Sequence, residues 1–319
     1  LHYPLAVIAK AADALRAEGG RVTLTLVRES SCFRVVDILP GDTTQRNYGI
    51  AVDIGTTTVA VMLVFLPTAK IMAIATDYND QVECGLDVIS RINYAGKPGQ
   101  LEDLRDRVLG TVNRLVVQVC RMAGVDPMEV SNVAMAVNTV MTHLLLGLNP
   151  EYIRLEPYTP TLLKVPLMSA REVGLSINPD SWVSLAPCVG SYVGGDITAG
   201  LLCTNLATDS EEVCLFIDIG TNGEIVIGNK DFLMSCACSA GPAFEGGGVS
   251  CGMRAAVGAI EKIVVDRESG LARYGVIGDV SARGICGSGM ISLLAELFLS
   301  GWLLPDGGLD TSRSSPALP

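Results

Sequence analysis

One ten-residue pattern occurs twice in this chain, and that repetition limits its fold more than any other feature. The first copy reads Ile50-Ala51-Val52-Asp53-Ile54-Gly55-Thr56-Thr57-Thr58-Val59. The second reads Leu215-Phe216-Ile217-Asp218-Ile219-Gly220-Thr221-Asn222-Gly223-Glu224. Asp53 and Asp218 stand 165 residues apart. Each copy is an apolar strand, an aspartate, and Gly-Thr at a tight turn into a second strand. Such widely spaced copies predict two similar domains facing each other. The length of 319 residues agrees, since one domain takes roughly 150.

The physics of the turn favours phosphate. Gly55 and Gly220 let the backbone bend closely, so successive N–H groups can converge on phosphate oxygens. Thr56, Thr57, Thr58, Thr221, Asn222 and Gly223 extend the two candidate phosphate loops. An aspartate at a strand end cannot bind phosphate directly. Asp53 and Asp218 can hold Mg²⁺ through waters, because Mg²⁺ keeps water ligands while bridging phosphates. Two such loops would clamp one polyphosphate across a cleft. The bland alternative is two ordinary hairpins with glycine turns.

A third element, residues 193–202, lies between them. Gly194 and Gly195 precede a helix, and Asp196 reads as its N-cap. Asp196 falls 22 residues before Asp218. It needs no function beyond capping, yet it, or Glu224, could orient a water against a terminal phosphate.

The rest of the chain reads as α/β. Residues 5–18 form a helix with Leu5, Ile8, Ala12 and Leu15 on its apolar stripe. Residues 21–28 form a strand with Val22, Leu24 and Leu26 inward and Thr23 and Thr25 outward. Residues 33–39 form another strand, and 43–47 a linker, so residues 1–45 make a small α+β appendage. Strands at 49–54, 57–66 and 70–76 form an antiparallel meander. A long helix carries Leu101, Leu104, Val108, Val112, Leu115 and Val119 and ends near Gly124. Residues 132–137 read as a strand, 139–146 as a helix and 157–166 as a proline-rich loop. A helix over 196–206, strands at 213–219, 224–228, 232–235 and 260–265, and a helix over 289–300 follow. The domain boundaries expected are 1–45, 48–205 and 206–319.

Composition narrows the function classes. The net charge is −11, which argues against nucleic acid as a partner, since that needs a basic stripe. The mean hydropathy of +0.40 is high, but no apolar run approaches the ~20 residues of a membrane span. The ten cysteines contain no CxxC spacing, and a reducing cytoplasm is the expected setting. They read as small buried hydrophobes, with a metal or redox role left open for Cys236, Cys238, Cys251 and Cys286. His143 lies in an apolar run and reads as a core or interface histidine. Residues 239–248 are glycine-rich around Glu245 and read as a surface loop or as a lid over the cleft. Gly284, Gly287, Ser288 and Gly289 lead into a helix; they read as an anion or nucleotide site or as a tight helix entry. The first residues lack Met and a signal-type apolar stretch, and residues 312–319 do not read as a terminus. Both ends are expected to be cuts in a longer chain.

The order strand-Asp-Gly-Thr, acidic helix, strand-Asp-Gly-Thr resembles the superfamily of sugar kinases, heat-shock chaperone ATPases and actin. The finer match rests on residues 53–58, 138–148, 218–224, 239–246 and 284–291. Over about 48–305 these resemble, in order, the ATP-dependent reductive activators of corrinoid proteins. Residues 1–45 resemble the small linker region of those activators. The resemblance implies tandem ribonuclease-H-like domains with a nucleotide cleft, binding ATP and Mg²⁺. It implies an ATPase that drives Co(II) to Co(I) in a partner corrinoid protein. The electron would come from a ferredoxin domain or reductase, with a 2Fe–2S cluster expected only in a missing N-terminal region, because no C-x₄-C-x₂-C run occurs here. The glycine-rich segment that completes the adenosine pocket in that family is also not among these residues. No membrane partner is implied, and a homodimer is an allowed assembly. Two rivals stay open: a small-molecule kinase of the same fold, and a nucleotide-gated binding module without turnover.

Overall fold

The computed structural model describes residues 2–29, 32–208, 210–220, 222–239, 249–267, 269–310 and 312. It divides into two compact units, Leu1–Phe216 with Ile227–Ser235, and Ile217–Val226 with Cys236–Pro319. Among the described residues no helix is long and apolar enough to cross a membrane.

The first unit begins with helix α1 (Leu5–Ala17) and the antiparallel hairpin β1 (Val22–Glu29) and β2 (Cys32–Pro40). The helix buries Val7 and Ala14 against Val35 and Ile38 of β2. This corrects the expected stripe: Leu5, Ile8 and Leu15 are exposed. Nearly every face of the helix is apolar, so period alone could not choose between two stripes. β1 departs from its expected pattern as well: Leu24 and Leu26 are exposed, and only Val22 packs against this core. Its Thr23 is turned inward by its bonds, the hydroxyl donating to Gly41 O (2.7 Å) and accepting from Thr43 N (2.8 Å). Lys10 pairs with Asp37 at 2.9 Å, Asn178 Nδ2 donates to Asp37 at 3.4 Å, and Arg34 lies 4.7 Å over the Trp182 ring. The Asn178 and Trp182 contacts tie residues 1–45 to the rest of the first unit, while the Lys10–Asp37 pair joins α1 to β2.

That sheet has six strands: β3 (Tyr48–Ile54), β4 (Thr58–Phe65), β5 (Lys70–Tyr78), β6 (Val130–Val137), β7 (Met168–Ser169) and β8 (Trp182–Leu185). Their order is β5-β4-β3-β6-β8-β7. The meander β3–β5 is antiparallel as expected, while β3, β6 and β8 run parallel. Helices α2 (Val88–Ala95), α3 (Gln100–Ala123), α4 (Thr139–Leu146), α5 (Glu151–Arg154) and α6 (Ala170–Val173) link the strands. Side chains alternate across a strand. Ile50, Val52 and Ile54 of β3 and Val59, Val61 and Leu63 of β4 therefore share one buried face. The long helix α3 covers it with Leu104, Val108, Val112, Leu115 and Val119, spaced by three and four. Each such side chain contributes about 1.5–3 kcal/mol on burial. α3 stops at Gly124, which takes the left-handed conformation (φ 67°).

The opposite face of the sheet carries small residues. Ala51, Ala60, Ala134, Ala136 and Ser184 line a cavity of about 550 Å³, flanked by helix α7 (Gly195–Leu201). α7 is shorter than the helix expected to Leu206.

Three further strands, β9 (Cys214–Ile219), β10 (Asn222–Gly228) and β11 (Leu233–Ser239), pair in the order β11-β10-β9, and their residues are shared out between the units. The second unit adds β12 (Ala259–Val265), β13 (Ala272–Val276), β14 (Gly284–Ile285) and helix α8 (Gly287–Leu299). β12 pairs antiparallel with β13 and parallel with β14. Ile263, Val265, Ile285 and Trp302 form its core.

Candidate functional site

The parallel strands place the first Gly-Thr turn. Ile54 at the end of β3 is paired with Val137 at the end of β6, and Leu185 of β8 with Met135. Three carboxyl ends therefore open at one edge of the sheet, where ligands bind in open α/β folds. Residues 55–57 join β3 to β4 there. Gly55 N–H donates to Thr58 O at 2.9 Å, and a Cβ on Gly55 would lie 2.9 Å from that same oxygen. Only glycine closes this turn without displacing the backbone. Asp53 is exposed on the small-residue face, Thr56 is buried, and Gly55, Thr57 and Thr58 are half-buried.

Three residues that the sequence reading did not single out hold this turn from behind. Asn79 Nδ2 donates to Gly55 O (3.0 Å), and Asn79 N to Thr57 O (2.9 Å). Arg91 Nη2 donates to Thr56 O (2.5 Å). Asn138 caps α4 by accepting from Met141 N (2.9 Å), and its Nδ2 donates to Thr56 Oγ1 (3.4 Å). Asn138 opens the segment 138–148 that carries part of the family resemblance; its cap role brings it to the turn. A signal for Arg91 existed in the sequence: it shares the buried side of α2 with Val88 and Ile92, where an arginine is rarely placed without partners.

Asp196 reaches the same edge, though not as a cap. The cap of α7 is Gly194, and Asp196 lies in the first turn, accepting from Ile197 N at 2.9 Å. The physical reason is crowding. A Cβ on Gly194 would stand 2.3 Å from Asn138 Cα, and one on Gly195 would stand 2.3 Å from Ala186 O and 3.0 Å from Val137 O. The glycine pair lets α7 start directly against the ends of β6 and β8. The structure thus brings Asp53, Gly55, Thr56, Thr57, Thr58 and Asp196 to one sheet edge.

The second turn belongs to the other unit. Gly220 N–H donates to Asn222 O at 2.8 Å. Asp218 is half-buried at the end of β9. Burial pushes its carboxyl above the usual carboxylate value, and a hydrogen bond from the Ile219 backbone partly offsets this. Asn222, Gly223 and Glu224 open β10, and Cys238 Sγ donates to Gly223 O at 3.3 Å. Thr221 and residues 240–248, with the expected lid and Glu245, lie outside the described residues.

Gly287 and Ser288 start α8. Ser288 Oγ is 3.2 Å from Cys286 Sγ. A Cβ on Gly289 would lie 2.2 Å from Ile260 O, and one on Gly284 2.6 Å from Cys251 O. Close packing therefore explains both flanking glycines.

The cysteines left open for metal do not gather. Cys236, Cys238 and Cys251 are exposed and Cys286 is buried. Among the described residues no group of three or more His, Cys, Asp or Glu could hold a metal ion. His143 is a core histidine: its Nδ1 is 2.7 Å from Thr139 O, and its Nε2 accepts from Thr161 N at 3.1 Å. Both ring nitrogens are used in the neutral form, and burial lowers its pKa.

Residues 48–209 match a family described as the RACo middle region, and residues 212–318 match one described as the C-terminal domain of RACo, the ASKHA domain. The corrinoid activation enzyme RamQ of Eubacterium limosum is 38% identical over 278 residues, covering 86% of this chain and 46% of that protein. The Co(II) methylated amine-specific corrinoid protein reductase of Methanosarcina barkeri is 27% identical over 300 residues, covering 82% of this chain and 54% of that protein. A solved structure of a reductive activator for corrinoid, iron-sulfur protein superposes with a TM-score of 0.89 at 46% identity, covering 97% of this chain and 49% of that one. The chain spans about half the length of these relatives. With both matched regions in sequence order and an α/β fold to carry them, the chain belongs to the RACo family of corrinoid-protein reductive activators, of which it holds the middle region and ASKHA-domain residues.

Proposed function

We propose that this protein binds and hydrolyses ATP to drive reduction of Co(II) to Co(I) in a partner corrinoid protein, in the cytoplasm. The observation that carries the nucleotide part is the first Gly-Thr turn. It lies at the carboxyl ends of three parallel strands, is closed by Gly55, and is tied to Asn138 through Thr56.

The residues fit ATP with Mg²⁺. A Gly-Thr turn offers backbone donors to phosphate, and Mg²⁺ needs only one or two carboxylates because it keeps several waters. Bound Mg²⁺ would screen the phosphate charge and favour attack on the terminal phosphorus. Asp53 and Asp218 would hold it through waters. Gly55, Thr56, Thr57 and Thr58, and Gly220, Thr221, Asn222 and Gly223, would receive phosphate. Asp196 or Glu224 would orient the attacking water, and Gly287 and Ser288 would bind the nucleotide through N–H groups at the start of α8. Residues 1–45, 48–205 and 206–319 are the proposed domains.

A 2Fe–2S cluster does not fit the described residues, which contain no cluster of ligands. The electron would be supplied by a ferredoxin domain or a reductase acting on the corrinoid protein.

The test is ATP hydrolysis by the protein with and without a Co(II) corrinoid protein. Faster turnover with the partner is expected, and Asp218→Ala is expected to abolish it. Full activity in Asp218→Ala would remove the assignment.

A further inference from the structure

The carbonyls of the first turn all accept from two buried residues, Asn79 and Arg91. Gly55 O, Thr56 O and Thr57 O accept, in order, from Asn79 Nδ2, Arg91 Nη2 and Asn79 N. In a trans peptide the N–H of the next residue points opposite to the carbonyl. Drawing these three carbonyls toward the interior therefore turns the N–H groups of Thr56, Thr57 and Thr58 the other way. Successive amides presented like this form a concavity for an anion.

The anchors are themselves fixed. Asn79 and Arg91 are both 0% exposed. Asn79 Oδ1 accepts from Gln81 N (3.1 Å), and Gln81 Nε2 donates to Leu104 O (2.7 Å). Arg91 Nε donates to Gly85 O (3.0 Å), and its Nη1 to Gln81 Oε1 (3.0 Å) and Met141 Sδ (3.3 Å). A guanidinium keeps its proton, so a permanent positive charge lies one peptide behind the outward amides. In a low-dielectric interior that charge acts over a longer range than it would in water.

We propose that Arg91 and Asn79 are positioning residues for phosphate: they hold the carbonyls of residues 55–57 inward, so that the turn is already arranged for a polyphosphate, and Arg91 adds a favourable field. This rests on the nucleotide reading above. A purely structural role, stapling α2 and the segment after β5 to the sheet, makes a different prediction. Its loss would weaken every ligand alike.

The experiment is isothermal titration of the protein and of Arg91→Lys, Arg91→Met and Asn79→Ala with adenosine, Mg²⁺–tripolyphosphate and Mg²⁺–ATP. Hydrogen bonds from charged groups set the scale: Arg91→Met should lose at least about tenfold in tripolyphosphate and ATP affinity. Adenosine affinity should stay within about twofold, and Arg91→Lys, which keeps the charge but loses the fork, should fall between. Should Arg91→Met fail to fold in urea titration, Arg91→Lys and Asn79→Ala decide by the same ratio. Parallel loss of adenosine and tripolyphosphate, or unchanged tripolyphosphate affinity in folded variants, overturns the inference and leaves the nucleotide reading standing. A wild-type protein that binds neither ATP nor tripolyphosphate overturns both.

Discussion

The two Asp-Ile-Gly-Thr turns share four residues and little of their construction. In the first, β3 ends at Ile54 and β4 begins at Thr58, and Gly55 N–H reaches across to Thr58 O. In the second, β9 ends at Ile219 and β10 begins at Asn222, and Gly220 N–H reaches Asn222 O. The first turn runs on into Thr57-Thr58, the second into Asn222-Gly223. The strands leading in differ too. Ile50, Val52 and Ile54 are buried under α3, whereas Leu215, Ile217 and Ile219 are 59%, 50% and 49% exposed. Their aspartates differ in turn: Asp53 is exposed, while Asp218 is half-buried, and burial pushes its carboxyl above the usual carboxylate value. The tetrapeptide specifies a turn; the packing behind it decides whether the turn is a rigid donor array or a carboxylate sensitive to its surroundings.

The largest test of that difference is Gly195→Ala. The added Cβ would meet Ala186 O at 2.3 Å and Val137 O at 3.0 Å, both backbone atoms at strand ends. Neither can rotate away, so α7 must shift. We expect a loss of about 2–3 kcal/mol in urea denaturation, within the range for overpacked cores. Nucleotide affinity should fall with it if Asp196 belongs to the site. Unchanged stability would show that the edge of β6 and β8 is softer than the first turn requires.

Much of this edge was legible in the sequence. Apolar runs bounded by turn residues located β3, β4, β5, β6 and α4, and apolar residues spaced by three and four located α3, because burial under a helix or in a sheet imposes both signals. The short β8 was not legible, since four residues carry too little alternation. The stripe on α1 was misread because Leu5, Ile8 and Leu15 are as apolar as the buried Val7 and Ala14. At the site, the glycines announced the turn, but the anchors did not announce themselves. Asn79, Arg91 and Asn138 act through contacts that span 24, 35 and 82 residues of chain. Spacing along a sequence carries no trace of such pairs. Asp196 reads in the sequence as the cap of its helix, but crowding gives that position to Gly194.

The next test separates stability from function at the second turn. Asp218 has a folded pKa raised by burial above 3.8, so the folded state holds its proton more tightly than the unfolded chain. Its contribution favours folding below the unfolded value and is lost as pH rises through the folded one. At neutral pH the ionised carboxylate is a net cost. Asp218→Asn should therefore raise the unfolding midpoint at neutral pH, with a smaller gain in acid, while ATP hydrolysis falls. A neutral-pH midpoint below that of the wild type would show that the carboxylate is stabilised by partners that outweigh its burial.

The smallest effect carries the opposite sign and belongs to the first unit. His143 is fully buried, and its Nε2 accepts from Thr161 N. Protonation would place a hydrogen where that N–H already points. Burial holds its folded pKa below 6.5, so the unfolded chain takes up the proton first. Stability from this group is complete above the unfolded value and declines as pH falls through it, by at most about 1.4 kcal/mol per pH unit. Acid should thus weaken the helix that begins at Asn138 while relieving the strain of charge at Asp218. His143→Gln should lower stability at pH 8 but flatten its fall toward pH 5.5, read from urea midpoints at the two pH values. An equally steep fall in the variant would place the acid-sensitive group elsewhere.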